Sequence, residues 1–458
     1  MTIHPQPSNL FASIDMGTHS FKLIIVYFDP TTSKLTTLLR RSHPVVIGLD
    51  SSSSSPPLLS PDCETRAIEV VRKFRTILCA HNVRWVRAVA TSAIREAGNG
   101  SSFVNKVREN LGFDFEVNVL SGVEEAKLSY LGVLQFLPVQ EKRVLTLDIG
   151  GGSTEIVIAD HGEVVFAESL KLGHVTLTQK FGEGNLLGLR AYVRERVGAS
   201  GLVDKVKDLG FEVAIGSSGT IRAEAKAIWS SYDSNKGENL RLLVEGAKRN
   251  LWWFDREELT GLVERLCGES EKERFRRDGF FGKRSEYIVA GVVLLEVILD
   301  LLGIRKMQVS GYALAEGIVA QMISEACGGC DLNANVKWKS VVRLAMSFNG
   351  SDRMNASGQC TLIAKVGLEY DQLDGYTVDE IQLIALLVKH HRKKFITFHG
   401  SFLHGFEGEG LVKEDDQPLL PDKGSTTKDI EKKLRKEEKY FEVVMTPGHS
   451  AKVNAISE

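Results

Sequence analysis

Neither sign of charge is in excess in this sequence, and cysteine is scarce. The chain carries 57 lysines and arginines against 59 aspartates and glutamates, which leaves a net charge of -2. A protein that binds nucleic acid through a global basic field is therefore not predicted, and any anion-binding surface must be local. The six cysteines are too few and too irregularly spaced for a disulfide framework, which indicates a reducing compartment.

The sequence predicts neither a long apolar run nor a secretory leader. The most apolar stretch, Ile288 to Leu302, is shorter than the roughly 18 residues of a membrane span and carries Glu296 and Asp300, so it predicts a buried helix. The N-terminal segment, Met1 to Asn9, contains prolines and no basic stretch followed by an apolar one. We therefore expect a cytoplasmic protein without a membrane partner.

The length and the order of predicted elements indicate an α/β protein with more than one core. With 458 residues, 43% of them hydrophobic, the chain exceeds the size at which single cores stop growing. Residues 10–28 predict two strands joined by a tight turn, and residues 144–159 repeat this unit. A unit used twice predicts two related halves that face each other across a cleft. We assign residues 8–128, completed by about 308–326, to the first half and residues 129–307 to the second.

The C-terminal part has a different character. Residues 330–400 predict a small all-α unit, and residues 401–458 predict a charged, poorly ordered tail. Cys327 and Cys330 form a C-x-x-C, but no second such pair or paired-histidine motif accompanies it. We therefore interpret it as a loop that follows a helix, and not as a zinc or redox site.

The first of three candidate anion-binding loops is D-M-G-T-H-S, which follows a predicted strand. Its glycine allows the backbone to approach a ligand oxygen, its hydroxyl and N–H groups can donate, and its carboxylate can hold a metal or orient water. By itself the pattern also fits a turn in which the aspartate only caps the backbone. The candidate residues are Asp15, Gly17, Thr18, His19 and Ser20.

The second loop is D-I-G-G-G-S-T-E. Three consecutive glycines are costly in backbone entropy and exceed what a hairpin needs, which favours a ligand site. Exposed amides and hydroxyls can form an anion-binding concavity, and the acidic side chains supply oxygen ligands for a hard cation such as Mg²⁺. The candidate residues are Asp148, Gly150, Gly151, Gly152, Ser153, Thr154 and Glu155.

The third loop, G-S-S-G-T, follows a short apolar strand and precedes a predicted helix. Such a turn directs free N–H groups and the positive end of the helix dipole toward an anion. Alone it could be only a capped helix start, but it occupies the same strand-turn position as the other two loops. The candidate residues are Gly216, Ser217, Ser218, Gly219 and Thr220.

Three such loops in this order are the phosphate-binding elements of the actin, sugar kinase and heat-shock chaperone superfold. Further segments narrow the family: TSAIREA (91–97), SGVEEAKLSYLG (121–132), LDIGGGSTEIVI (147–158), LGHVTL (172–177) and AGVVLLEVILDLLG (290–303). They resemble the exopolyphosphatase / guanosine pentaphosphate phosphatase (Ppx/GppA) family. The resemblance covers about residues 10–325, and a weaker similarity extends to about residue 400. It is that of a eukaryotic, plant-like member with a shortened C-terminal domain.

The resemblance implies a role for each candidate residue. Glu124, at the family's S-G-x-E-E position, would be the general base that activates water, with Glu125 the less favoured candidate. Asp148, assisted by Asp15 and Glu155, would bind Mg²⁺ or Mn²⁺, which neutralises charge on the leaving group. Cationic contacts to phosphate would come from Lys22, Arg95 and Arg284, although Arg95 and Arg284 also fit surface ion pairs.

The sequence departs from the family pattern at several positions. His19 replaces the usual asparagine and introduces a titratable ring. Lys22 stands where bacterial members commonly have arginine, and gives a point charge in place of a planar fork. Ala315 occupies a position commonly held by arginine. The shortened helical unit keeps only the segment 387–394, so His390 and His391 are interpreted as part of a basic helix end and not as metal ligands.

The leading hypothesis is hydrolysis of terminal phosphate from inorganic polyphosphate or from guanosine penta/tetraphosphate, by a chain that could form homodimers. A non-catalytic sensor of phosphorylated ligands is the alternative from another class, and the retained Glu124, Asp148 and Glu155 speak against it. An ATP-dependent kinase of the same superfold is a third possibility, but the S-G-x-E-E helix is not a kinase feature.

Overall fold

A computed structural model of the chain describes residues 9–30, 34–47, 49–50, 56–112, 115–137, 139–230, 253–278 and 285–327. All of these residues belong to one compact unit. Several predictions concern residues outside these ranges: the helical unit at 330–400, the tail at 401–458, Arg284, Cys330, His390 and His391.

The first half of the fold is a sheet with helices packed on it. Its elements are β1 (Leu10–Met16), β2 (Ser20–Asp29), β3 (Lys34–Pro44), β4 (Leu49–Asp50), β5 (Leu58–Leu59), α1 (Pro61–Ala80), β6 (Trp85–Ala90), α2 (Ser92–Glu96), α3 (Gly100–Leu111), β7 (Glu116–Val119) and α4 (Gly122–Leu134). The main sheet has the order β3-β2-β1-β6-β7, in which β1, β6 and β7 are parallel and β2 is antiparallel to both neighbours.

The second half repeats this arrangement. Its elements are β8 (Arg143–Ile149), β9 (Thr154–Asp160), β10 (Glu163–Leu170), α5 (His174–Phe181), α6 (Leu186–Ala199), α7 (Leu202–Leu209), β11 (Val213–Ser217), α8 (Ser218–Ser230), β12 (Trp253–Asp255), α9 (Arg256–Gly268), α10 (Glu271–Asp278), α11 (Ile288–Leu301) and β13 (Lys306–Val309), followed by α12 (Leu314–Cys327). The sheet order is β10-β9-β8-β11-β13-β12. Apart from the edge strand β12, both sheets place their strands in the order third, second, first, fourth, fifth. The repeated topology confirms the predicted α/β fold with two related halves.

Strand β1 lies at the centre of the first half, and all of its residues are buried. Successive side chains of a strand point to opposite faces of the sheet. Ile14 and Met16 belong to the hydrophobic cluster formed with α1 and α3, whereas Phe11 belongs to the cluster formed with α12. Ser13 shares the α12 face, where its hydroxyl donates to the carbonyl of Ala315. The same alternation places Asp15 on the face that α12 covers.

The apolar stretch near residue 290 forms the buried helix α11, as predicted, and its residues pack in the core of the second half. Within the described ranges, no helix combines the length and the hydropathy needed to cross a bilayer.

Helices α4 and α12 approach each other through glycines. A Cβ atom built on Gly132 would lie 2.0 Å from the carbonyl oxygen of Ala313, and one built on Gly317 would lie 1.8 Å from that of Leu128. Non-bonded carbon and oxygen atoms cannot approach this closely, so the close contact of the two helix backbones requires both glycines. Because both helices begin at the cleft described below, this contact fixes the position of the side chains near their N-termini.

Replacing Gly317 by alanine is expected to destabilise the fold by about 1–3 kcal/mol, because the added methyl group forces α4 and α12 apart. The matched control is Gly261→Ala in α9, where an added Cβ meets open space. There, alanine is expected to stabilise the protein by about 0.5–1 kcal/mol through helix propensity. Denaturant unfolding measures both values, and equal effects at the two glycines would contradict the close helix contact.

Candidate active site

Three chain reversals meet in one cleft, and each follows the carboxyl end of a strand. They are the turns after β1 and β8 and the junction between β11 and α8, and they surround one cleft. Ligands of open α/β sheets bind at such strand ends. The predicted site residues that line the cleft are Asp15, Gly17, Thr18, His19, Ser20, Lys22, Asp148, Gly150, Gly151, Gly152, Ser153, Glu155, Ser218, Gly219 and Thr220.

The glycines of the second loop let the two halves approach each other. A Cβ on Gly152 would lie 2.5 Å from Oγ of Ser92 and 2.7 Å from Oγ1 of Thr18, and a Cβ on Gly151 would lie 3.0 Å from the backbone nitrogen of His19. The sequence interpretation assigned this glycine run to a ligand alone. The structure adds a second reason, because side chains here would push the first and second loops apart.

The first and third loops present groups suited to an anion. Thr18 is 3% exposed, and its hydroxyl has no hydrogen-bond partner among the described residues. A buried hydroxyl is costly without a partner, so a ligand oxygen would satisfy it. Ser218 begins α8 with a positive φ of 84°, a conformation that serine rarely adopts and that concentrates at functional sites. The turn brings Gly219 and Thr220 to the cleft at the positive end of α8.

The two halves use the same strand register to place their acidic groups. In the first half, Asp15 pairs with Lys22 across β1 and β2, and Lys22 Nζ donates to the carboxylate at 2.8 Å. In the second half, Asp148 pairs with Glu155 across β8 and β9. Ser217 donates to Asp148 at 2.9 Å, and a serine of β10 donates to Glu155 at 2.7 Å. Equivalent positions thus hold a carboxylate–ammonium pair in one half and two carboxylates in the other.

The two adjacent glutamates of α4 have different surroundings. Glu124 is exposed and completes a capping box: its carboxylate accepts from the backbone N–H of Ser121 at 2.8 Å, and its own N–H donates to the Ser121 hydroxyl. Glu125 lies about 100° further around the helix, is 7% exposed and lines the cleft. Arg95 donates to it at 2.8 Å. Of the two adjacent glutamates, Glu125 lines the cleft, whereas Glu124 caps the helix.

Burial determines the ionisation of the cleft carboxylates. Burial, with a smaller contribution from the charges of Asp15 and Asp148, raises the pKa of Glu125 to about 7 against the lowering effect of Arg95. Burial likewise raises the pKa of Asp148. The pKa of Glu155 is raised well above its ordinary value by burial and then by its carboxylate neighbours. By contrast, the hydrogen bonds with Ser121 lower the pKa of Glu124. A raised pKa near neutrality is typical of a general acid or base.

Other predicted site residues lie away from the cleft wall. Thr154 is fully buried, and its hydroxyl donates to the carbonyl of Leu172 at 2.6 Å. Gly216 lies inside β11, where a Cβ would collide with the core side chains of Ile221 and Met307. Arg95 binds Glu125 and the carbonyl of Leu120 instead of facing the cleft directly. Arg284 lies outside the described residues.

Several wall residues were missed by the sequence reasoning: Thr91, Ser92, Ser129, His174, Arg40, Arg222 and Glu316. Most of them occur in or beside segments that the motifs had already marked. His174 contacts the first loop through its ring, 5.4 Å from the ring centre of His19, and its Nδ1 lies 3.1 Å from the Thr220 hydroxyl. Arg40 lies in β3, for which no sequence signal indicated a site.

The acidic residues fit a hard cation only in part. Carboxylate oxygens are the ligands that Mg²⁺ prefers. A cation would also stabilise the ionised forms of these closely spaced carboxylates, whose pKa values are raised. However, no group of three His, Cys, Asp or Glu side chains converges closely enough to hold a metal ion within the described ranges. The assignment of Asp148, Asp15 and Glu155 as metal ligands stays a prediction from the sequence. One or two carboxylates that share a metal with substrate phosphates remain compatible with these positions.

Comparison with known proteins identifies relatives over most of the described residues. The family model described as the Ppx/GppA phosphatase family matches residues 26–326. A candidate exopolyphosphatase of Haemophilus influenzae is 28% identical over 315 residues, 67% of this chain and 90% of that protein. A guanosine-5'-triphosphate,3'-diphosphate pyrophosphatase of Aeromonas hydrophila is 29% identical over 68% of this chain, and the match spans 59% of its length.

Solved structures show the same fold. An exopolyphosphatase from Cytophaga hutchinsonii has a TM-score of 0.60 and 25% identity, over 69% of this chain and 98% of that one. A Ppx/GppA protein from Aquifex aeolicus has a TM-score of 0.53 and 24% identity, over 69% of this chain and 98% of that one. The second likeness is one of fold alone.

Replacing Glu125 by glutamine is expected to stabilise the protein at pH 8 and to have little effect at pH 5. The folded state holds a proton on Glu125 up to about pH 7, against an ordinary value of 4.5, so stability falls as pH rises through this window. Removing the charge should raise the free energy of unfolding by about 1–3 kcal/mol at pH 8. The lower value applies because Arg95 loses its carboxylate partner in the variant. Calorimetric unfolding in a chelating buffer measures the gain.

Glu124→Gln is the matched control for this measurement. The pKa of Glu124 is lowered in the folded state, so its ionised form stabilises the helix at pH 8 and the variant should gain nothing there. The difference in the free energy of unfolding between Glu125→Gln and the wild type should be more favourable to the variant at pH 8 than at pH 5. The opposite trend would contradict the burial of an ionised Glu125.

Proposed function

The chain belongs to the Ppx/GppA phosphatase family, and we propose that it is a metal-dependent phosphohydrolase that releases terminal phosphate from inorganic polyphosphate or guanosine penta/tetraphosphate. The observation that carries the proposal is the position of Glu125. A buried carboxylate with a pKa near 7 lies in the same cleft as three loops of the type that binds phosphate. The substrate class follows the names of the relatives, an exopolyphosphatase and a guanosine-5'-triphosphate,3'-diphosphate pyrophosphatase.

We assign the role of general base to Glu125. A base must ionise near the working pH and lie within reach of the attacking water, and Glu125 lines the cleft at the N-terminal turn of α4. Glu124 is exposed and already accepts the N-cap hydrogen bond, which favours the ionised form and makes it a weak base. Glu125 would accept one proton from water as the oxygen attacks the terminal phosphorus. The bond from phosphorus to the leaving phosphate oxygen then breaks.

Phosphate binding falls to the three loops. The Thr18 hydroxyl and the backbone N–H groups around Gly151 and Gly219 are donors that suit phosphate oxygens, and the positive end of α8 supports them. Lys22 supplies a point charge that also neutralises Asp15. Phosphoryl transfer depends mainly on positioning and electrostatic stabilisation, so these contacts would supply much of the catalysis.

A divalent cation is part of the proposal. Asp148 and Glu155, paired across β8 and β9, are the carboxylates best placed to hold Mg²⁺ or Mn²⁺ together with substrate oxygens, and Asp15 already binds Lys22. When bound, the cation would neutralise charge on the phosphates and the leaving group. Homodimer formation and a cytoplasmic location stay predictions from the sequence.

Glu125→Gln is expected to lower kcat about 10²–10⁴-fold, since glutamine cannot accept the proton from water. Phosphate release from long-chain polyphosphate, tripolyphosphate and guanosine pentaphosphate with Mg²⁺ measures the loss and identifies the preferred substrate. Glu124→Gln is the neighbouring control and should keep near wild-type activity. If Glu124→Gln is the inactive variant, the assignment of the base is wrong; if the wild type releases no phosphate but binds these ligands, a non-catalytic sensor is favoured.

Arg95→Gln is expected to shift the acid limb of the pH–kcat/KM profile upward. The base must be ionised, so the rate should rise with pH through the pKa of Glu125, about 7. Arg95 lowers that pKa, and its removal should move the limb up by about one pH unit or more. Arg72→Gln, on the exposed side of α1, is the control. An acid limb that does not move in Arg95→Gln would exclude Glu125 as the titrating base.

A further inference from the structure

Arg40 is a cationic wall residue of the cleft that none of the sequence motifs includes. It lies in β3, where it pairs with Ile24 of β2. Ile24 belongs to the hydrophobic cluster that contains Ala315 at the start of α12. Strand alternation therefore directs Arg40 to the face of the sheet that α12 covers, and its neighbour Arg41 to the opposite face.

Arg40 is held at the wall by a carboxylate of α12. Its Nη2 lies 2.5 Å from Oε1 of Glu316, and the other oxygen of Glu316 accepts the backbone N–H of Ala313 at 2.9 Å. The Glu316 side chain is buried and anchored by this N-terminal hydrogen bond. The Arg40 side chain is 41% exposed. Of the two partners, Arg40 is the one that can change position.

A second arginine connects this pair to the acidic part of the cleft. Arg222 is buried, and its guanidinium donates to the carbonyls of Ser218 and Gly311 at 2.9 and 2.7 Å. Burial lowers the pKa of Arg222, and the charges that act on it are Glu316, Arg40 and Asp148. A series of charges thus runs from Asp148 through Arg222 to the Arg40–Glu316 pair. Arg222 would also continue to neutralise Glu316 if Arg40 moved away.

We propose that Arg40 is a substrate-binding residue that exchanges Glu316 for a phosphate group farther along the substrate than the one released. Solvent screens the exposed Arg40 guanidinium, and Arg222 continues to act on the buried Glu316 carboxylate, so the departure of Arg40 costs little. A guanidinium forms stronger, bidentate hydrogen bonds with phosphate. The ligand is a chain of linked phosphates, supplied by inorganic polyphosphate or by the phosphate arm of a guanosine nucleotide. This inference rests on the proposed function.

Kinetics of single variants test the exchange. Arg40→Ala is expected to raise the KM for long-chain polyphosphate about ten-fold, because one charge-assisted hydrogen bond to the substrate is lost. The value of kcat should change little. Arg40→Lys should lie between Arg40→Ala and the wild type, and Arg41→Ala should match the wild type. Glu316→Gln keeps the cap to Ala313 but releases Arg40, and should lower KM about two- to five-fold.

A purely structural ion pair gives a different pattern. Arg40→Ala and Glu316→Gln would then lower the melting temperature alike and would not change KM in opposite directions. The proposal is overturned if Arg40→Ala and Arg41→Ala have the same KM, or if KM moves in the same direction in Arg40→Ala and Glu316→Gln. A melting curve for each variant shows that the protein compared is folded.

Binding measurements separate this inference from the proposed function. In a Glu125→Gln background with Mg²⁺, calorimetric titration with tripolyphosphate and with guanosine pentaphosphate should show about ten-fold weaker binding when Arg40→Ala is added. An effect with one ligand only identifies the source of the phosphate chain. If the wild type hydrolyses neither compound but Arg40→Ala still weakens binding, the hydrolase proposal is wrong, whereas the assignment of Arg40 as a phosphate-binding residue is supported. If neither ligand binds, both fail.

Discussion

The removal of carboxylates from water at one cleft is the constraint on which the rest of this structure depends. Asp15, Glu125, Asp148 and Glu155 lie close enough for their charges to act on one another, and three of them have raised pKa values because of burial. Like charges in a desolvated site repel strongly, so each carboxylate needs a compensating group. The fold supplies these groups individually, from a lysine, an arginine and serine hydroxyls.

The duplicated fold makes this arrangement possible and also makes it asymmetric. Both halves carry an aspartate at the end of their first strand and a charged partner seven residues later, in register on the antiparallel neighbour. In the first half that partner is Lys22, and in the second it is Glu155. The first half therefore pairs its aspartate with a cation, whereas the second pairs its aspartate with another carboxylate. Under the proposed function, the second half would hold the cation, and the cationic residues Lys22, Arg40 and Arg222 would bind the phosphates.

Much of the local structure could be predicted because it depends on neighbours in the chain. The strand pair at the N-terminus and its repeat near residue 150 follow from alternating apolar residues around a glycine turn. Helix α1 likewise depends on its own segment, since Ser60 caps its start and His81 follows its last turn. The S-x-x-E capping signature was also visible in Ser121 and Glu124, and its local geometry already committed Glu124 to the helix end.

The sequence by itself determined the α/β class, the duplication, the three loops and the carboxylates near the ends of β1 and β8, because backbone propensity and glycine turns are encoded over a few residues. Only the tertiary structure decided which glutamate of α4 faces the cleft, that Gly152 is required by Thr18 and Ser92, and that Arg40 belongs to the cleft wall. These facts depend on residues far apart in the chain that packing brings together. Arg40 and Glu316 are separated by most of the described residues, and no periodicity within either segment records that they meet.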